Sequence, residues 1–154
     1  MGAAPTPRFR LAARADVETL VACMREFYAI DAYPFDAAVA RAALAGLVGD
    51  PALGRAWLIL DGEAPIGYVV LTLGYSLEFH GRDAFVDELF IREGYRHRGV
   101  GTATLRFVEE QCPALGVHAL HLEVERTNLA GQALYRKMGF RDHDRHLMTR
   151  WLTS

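Results

Sequence analysis

Lysine is almost missing from this chain: of its 17 basic residues only Lys137 is not arginine. Nineteen acidic residues offset them, for a net charge of −2. No excess of positive charge is left for unspecific binding to nucleic acid or an anionic membrane surface, so neither partner is expected. Cysteine is scarce too. Cys23 and Cys112 both fall in apolar helical patterns, too few for a disulfide framework, and read as reduced packing residues of a cytoplasmic protein. Apolar runs such as Ala56 to Leu60 are short, far from the roughly 18–20 residues that span a bilayer. The stretch from Met1 to Arg10 carries two prolines and no apolar core, so no secretory leader is expected. Its start, Met1-Gly2-Ala3-Ala4-Pro5-Thr6, fits the loose N-myristoylation pattern, but no polybasic second anchor follows. Internal repeats, low-complexity tracts and linker-like shifts in composition are absent, and residues 1–154 read as one domain.

What is present is a globular composition, 51% hydrophobic and 23% charged. Residues 8–13 alternate like a first strand. Asp16 is placed to cap a helix to about Tyr28, with Val17, Leu20, Val21, Met24 and Phe27 on one face. Asp36 opens a second, alanine-rich helix that ends near Gly49. The period then shortens. Strands are expected at Ala56–Leu60, Ile66–Leu73 and Phe85–Ile91, with a hairpin turn at Asp61-Gly62. A helix from Gly99 to about Cys112 stops at Pro113. A strand at Ala119–Val124, a helix from Leu129 to Met138 closed by Gly139, and one or two weak strands between Phe140 and Leu152 complete the chain. The order β-α-α-β-β-β-α-β-α-β describes an α/β (α+β) domain with a mixed sheet.

The chemically informative segment runs from Glu88 to Thr102. A strand ends, a loop follows, and a helix begins within Gly99-Val100-Gly101. Glycine lets the backbone approach a ligand, and the free N–H groups at a helix start favour an anion. Arg96 and Arg98 add charge. Between Arg92 and Arg106 four arginines face only Glu93, so a phosphate or pyrophosphate is the natural guest. A dinucleotide site is the competing reading, weakened because Gly99-x-Gly101-x-x-Thr104 lacks the third glycine. No Gly-Lys-Ser/Thr occurs, which excludes a Walker loop.

Arg96-x-x-Gly99-x-Gly101, directly after Leu89-Phe90-Ile91, resembles the acyl-CoA signature of the GNAT acetyltransferase superfamily. A downstream block, Glu123 to Asn128, then Ala133-Leu134-Tyr135, then Gly139-Phe140, resembles that superfamily's second motif at matching spacing. The resemblance is close over about residues 55–142. It implies the GNAT fold, with a mostly antiparallel sheet flanked by helices, and acetyl-CoA as co-substrate. By this resemblance the backbone of Leu89, Phe90 and Ile91 pairs with the pantetheine arm. The amides of His97, Arg98, Gly99, Val100, Gly101 and Thr102, with Arg96, hold the pyrophosphate. Asn128 contacts the thiol-end arm and Tyr135 lies near the sulfur. Glu93, His97 and Gly131 depart from common family residues without removing a needed amide.

Acyl transfer to an amine needs a base, an oxyanion donor and an acid. Tyr135 is the acid that the family pattern implies, and the Ile91 N–H is the expected oxyanion donor. Three carboxylates compete as base: Glu88, favoured because relatives acting on small amines carry acids there, then Glu123, and Asp87. Strand alternation turns Asp87 and Glu88 to opposite faces. Glu78, Asp83, Asp87 and Glu88 cluster before the site and suit a cationic acceptor. Tyr28, Tyr33 and Phe35 are expected pocket walls by analogy with the family. The acceptor is a small-molecule or peptide amine. Dimers are common in the resembled family, and the C-terminal strands are the expected contact for a homodimer here. His118 and His121 are expected to face opposite ways, and no metal site is expected. The alternatives are a non-catalytic acyl-CoA-binding module and a small dinucleotide-binding protein.

Overall fold

The computed structural model describes residues 3–153. Met1 and Gly2 of the acylation-like start lie outside them. The chain divides after Leu122 into two compact units.

The first unit carries a five-stranded sheet in the order β1-β2-β3-β4-β5: β1 is Arg8–Leu11, β2 Gly54–Asp61, β3 Ala64–Ser76, β4 Gly81–Ile91 and β5 Ala119–Leu122. The first three pairings are antiparallel, β2 and β3 turning tightly through Gly62 at φ 61°. β5 pairs with β4 in parallel, which requires a crossover. Helix α3, Val100–Gln111, supplies it. Helices α1, Val17–Ile30, and α2, Ala37–Gly49, precede β2.

Alternation along β2 sorts the two faces. Leu58 and Leu60 join Tyr68, Val70 and Phe90 beneath Leu20, Val21, Cys23 and Leu44 of α1 and α2. Ile59 turns the other way and packs with Ile66 and Val100 of α3. On that second face Phe107 of α3 stacks on Phe9 at 4.3 Å and meets Trp57 edge-on at 5.3 Å. Each such aromatic pair adds about 0.5–1.5 kcal/mol beyond the area it buries. Cys23 and Cys112 are both buried and free.

The two expected caps behave differently. Asp36 accepts from the Ala38 and Val39 N–H groups and starts α2 as its sequence position predicts. Asp16 does not cap α1. It ends a short 3-10 turn, and its carboxylate reaches back to the Ala13 N–H at 2.9 Å and the Arg10 guanidinium at 3.0 Å. A nearby arginine outbids the helix amides for the same oxygens. β3 and β4 also extend further toward their connecting turn than alternation suggests. Gly74 and Asp83 look like loop residues, yet they pair across the ladder. A Cβ on Gly74 would lie 2.7 Å from the Asp83 carboxylate.

The second unit begins at Glu123 and holds α4, Leu129–Lys137. The Asn128 side chain caps it by accepting from the Gly131 N–H at 3.0 Å. A Cβ on Gly131 would stand 2.5 Å from that same amide, which gives a physical reason for glycine there. The helix closes at Gly139, φ 97°. The final strands expected between Phe140 and Leu152 are not formed among the described residues. Arg141 to His146 are six consecutive charged or imidazole residues, with no apolar alternation to bury. Leu147, Met148, Trp151 and Leu152 are each at least 75% exposed. Apart from that missing strand the expected order is observed.

Candidate active site

The ladder between β4 and β5 lasts four rungs, from Asp83↔Ala119 to Val86↔Leu122. Beyond it the end of β4, Glu88–Ile91, is paired on the β3 side alone in that sheet. Arg92 donates its N–H to the Ile66 carbonyl on the β3 side. Backbone groups of successive strand residues point to opposite edges, so those of Ile91 and Leu89 turn to the open edge and those of Phe90 turn to β3. Phe90 therefore has no backbone group to offer a ligand at that edge; its ring is buried in the core. The Ile91 carbonyl is occupied by Arg96, whose Nε donates to it at 2.7 Å. The Ile91 N–H and both backbone groups of Leu89 remain directed outward.

The loop after β4 is folded tightly. Gly94, His97 and Gly99 have φ values of 90°, 60° and 80°. Tyr95 packs under the loop beside Ile59, Ile66 and Val100. The guanidinium of Arg96 lies 5.8 Å above the Phe90 ring, so its first task is to brace the loop. Arg92 does not contribute to the charge at the helix start: it is bound to Glu26 at 2.8 Å and to the Pro65 carbonyl. Arg98 is exposed. Helix α3 begins at Val100 with no side-chain cap and no acid in its first turn. A Cβ at Gly99 or Gly101 would meet no protein atom within 4 Å. Uncapped amides, open space above two glycines and a neighbouring arginine fit an anionic group such as a pyrophosphate.

A β-bulge separates Asp87 from Glu88. Glu88 stands opposite Val70 and Val86 opposite Leu71, which leaves Asp87 as the extra, exposed residue. Strict alternation between Asp87 and Glu88 does not hold across such an insertion. Glu88 turns toward α1, where Tyr28 donates a short hydrogen bond to Oε2 and Tyr68 donates to Oε1 at 2.8 Å. Burial is the main influence on Glu88 and pushes its carboxyl above the usual range; the two tyrosine hydroxyls pull it back, and the charge of Asp87 pushes the same way as burial. Glu123 opens the second unit and is exposed.

Tyr28 sits in an aromatic group with Phe27, Tyr33 and Phe35, at ring separations of 5.9, 6.2 and 5.9 Å. The expected wall residues thus gather around one hydroxyl that reaches Glu88. The acid cluster does not act as a unit. Asp83 is buried and bound to His121 at 3.0 Å, between the rings of Phe79 and Phe85, while Glu78 is exposed in the β3–β4 turn. That His–Asp pair ties β5 to β4 just before they part. Sequence reading missed it, because the partners are 38 positions apart. It also missed Tyr68. The signal was a tyrosine inside an otherwise apolar strand, since a buried hydroxyl requires a partner.

In the second unit Tyr135 lies on α4, its ring 6.1 Å from Phe140, whose N–H donates to the Tyr135 carbonyl. Asn128 is used as the cap of the same helix. Among the described residues no three His, Cys, Asp or Glu side chains gather as metal ligands, and no helix is long and apolar enough to cross a membrane.

The model of the Acetyltransferase (GNAT) family matches residues 17–140. The chain belongs to that family. A relative, the thialysine N-epsilon-acetyltransferase of Bos taurus, is 27% identical over 82 residues, 53% of this chain and 48% of its own length. The L-methionine sulfoximine/L-methionine sulfone acetyltransferase of Pseudomonas paraeruginosa is 30% identical over 105 residues, 59% of this chain and 60% of its own. The match thus spans about half to three-fifths of these curated relatives. Among solved structures, the integron cassette protein HFX_CASS3, from the mobile metagenome of Cole Harbour Salt Marsh, superposes with a TM-score of 0.84 at 38% identity, covering 95% of this chain and 91% of that one. The GNAT assignment agrees with the five-stranded, mostly antiparallel sheet flanked by helices.

Proposed function

We propose that this GNAT protein transfers the acetyl group of acetyl-CoA to a primary amine, with residues 1–154 working as one acetyltransferase domain. The observation that carries the reading is Glu88, a half-buried carboxylate held by two tyrosine hydroxyls where β4 runs on beyond its pairing with β5. Acetyl-CoA supplies the activated acyl group. The first-turn amides of α3 with Arg98, and the outward backbone of Leu89 and Ile91, are the groups of this chain suited to hold it, Arg96 supporting the loop.

The residue chemistry follows from charge. An incoming ammonium must lose a proton before its nitrogen can attack the acetyl carbonyl carbon. Glu88 accepts that proton, and its raised carboxyl is better matched to the task near neutrality than an ordinary one. The Ile91 N–H is the donor for charge developing on the carbonyl oxygen. As the carbon–sulfur bond breaks, the leaving thiolate takes a proton, and Tyr135 is our proposed donor. The attacking nitrogen sheds its second proton as the amide forms, which restores the Tyr135 hydroxyl, and Glu88 returns its proton to solvent, so the net products are the amide, the free thiol and one released proton. Asp87, exposed beside Glu88, and the aromatic rings around Tyr28 suit a cationic acceptor with an apolar body. Two buried free cysteines favour a reducing, cytoplasmic setting.

Tyr135→Phe is expected to lower turnover by on the order of 10²-fold while acetyl-CoA affinity changes little. Steady-state thiol release and a binding titration measure the two separately. Unchanged turnover would remove Tyr135 from the mechanism. The reading as a whole is tested by thiol release from acetyl-CoA across a panel of polyamines, aminoglycosides, amino acids and peptides.

A further inference from the structure

We propose that Tyr28 and Tyr68 are positioning residues for Glu88: one phenol donor on each carboxylate oxygen keeps the base ionised and aimed at the open end of β4. This inference rests on the reading of Glu88 as the base.

The two tyrosines come from different elements and are fixed by different packing. Tyr68 lies on β3, fully buried, with its ring 6.0 Å from Phe90 and 6.3 Å from Phe27. It has nowhere to swing, so it pins Oε1 from the core side. Tyr28 lies near the end of α1, half-buried among Phe27, Tyr33 and Phe35, and pins Oε2 from the helix side. A carboxylate has about four lone-pair positions, so two donors leave places for the N–H of an acceptor.

The need for both donors follows from burial. A carboxylate moved out of water favours its neutral form, and a neutral carboxyl cannot take the acceptor's proton. The charged groups around Glu88 do not correct this. Asp87, on its own strand, is negative and disfavours ionisation further. Among the described residues no arginine contributes to the balance at Glu88. The two phenol hydrogen bonds are, among the described residues, what pulls Glu88 toward its ionised form. Burial and the neighbouring carboxylate push both phenols well above the usual tyrosine range, so each keeps its proton, and acts as donor, through the whole pH range of turnover.

The sign is then fixed. A hydrogen bond to the charged form lowers the pKa of a carboxyl; deleting the donor raises it. Tyr68→Phe and Tyr28→Phe each remove one oxygen atom and keep the ring. In each variant the acid limb of the kcat/KM profile should move to higher pH by about one unit, the value of one charge-assisted hydrogen bond. Turnover should fall about tenfold below the limb, and the deficit should shrink as pH rises. Acetyl-CoA affinity, measured by titration, should stay within about threefold of wild type. A role in packing alone would lower activity by the same factor at every pH. Glu88→Gln separates the two layers of the account. If it abolishes the acid limb while both phenylalanine variants keep the wild-type limb, Glu88 is the base and the positioning role is wrong. If it leaves the limb in place, the reading beneath falls, and this inference with it. Should Tyr68→Phe fail to fold, Tyr28→Phe, nearer the surface, decides alone. The Glu88 side-chain carboxyl, titrated by carbon NMR in that variant, should then show the same upward shift, and an unshifted titration would overturn the proposal.

Discussion

Glu88→Gln should lower kcat for acetyl transfer by on the order of 10²–10³-fold, with acetyl-CoA binding close to that of the wild type. Glutamine has the same shape and can still accept from one tyrosine through its carbonyl oxygen. Its amide can donate to the other, because a phenol oxygen also accepts. The buried hydroxyl of Tyr68 and the half-buried one of Tyr28 therefore keep partners and the fold survives. What disappears is a group that can take a proton. The residual rate should lose the wild-type break set by Glu88 and instead climb steadily with pH, following the fraction of amine already free, toward the amine's own pKa. Steady-state kinetics over pH 5–9 check both features. A Glu88→Gln enzyme with wild-type turnover would move the role to Glu123 or Asp87.

Gly99→Val should weaken acetyl-CoA binding by about 100-fold or more. Gly99 sits at φ 80°, a conformation that a β-branched residue adopts only with strain of roughly 1–2 kcal/mol. The second cost is steric. A Cβ at this position meets no protein atom, so it would project into the space above the α3 amides where a pyrophosphate would sit. Gly101→Val separates the two costs. Gly101 lies within α3 and has no positive φ, and the space beside it is equally open, so its loss of affinity reports blocking without the left-handed strain. Isothermal titration with acetyl-CoA, alongside thermal unfolding without ligand, distinguishes blocking from collapse. Retained affinity in both variants would put the pyrophosphate elsewhere.

Much of the fold was legible because its signals are local. The spacing of Val17, Leu20 and Val21 defines the buried side of α1, and the alternation of Leu58 and Leu60 against Ile59 divides the two faces of the sheet. The loop from Glu93 to Arg98 and the uncapped start of α3 were readable from glycine and arginine alone. What escaped was set by distant partners. Asp16 had the right spacing for a cap, but Arg10 claimed it. Arg92 counted toward the positive charge at the helix start, but Glu26, 66 positions away, neutralises it. Asp87 and Glu88 obey alternation in sequence, and a bulge set by the register of β3 cancels it. Tyr28 and Tyr68 converge on Glu88 from separations of 60 and 20 residues, a geometry that no local period encodes. The closing strands failed for a different reason: alternation around Leu147 and Trp151 is too weak to order a strand after the polar run from Arg141 to His146.

The most direct measurement is release of free thiol from acetyl-CoA by the purified protein, followed with each member of the amine panel and without amine. The account predicts amine-dependent release with at least one cationic primary amine, matched mole for mole by acetylated product and lost in Glu88→Gln. Tight acetyl-CoA binding with no release above the amine-free rate across the whole panel would contradict it, and would mark the chain as a binding module.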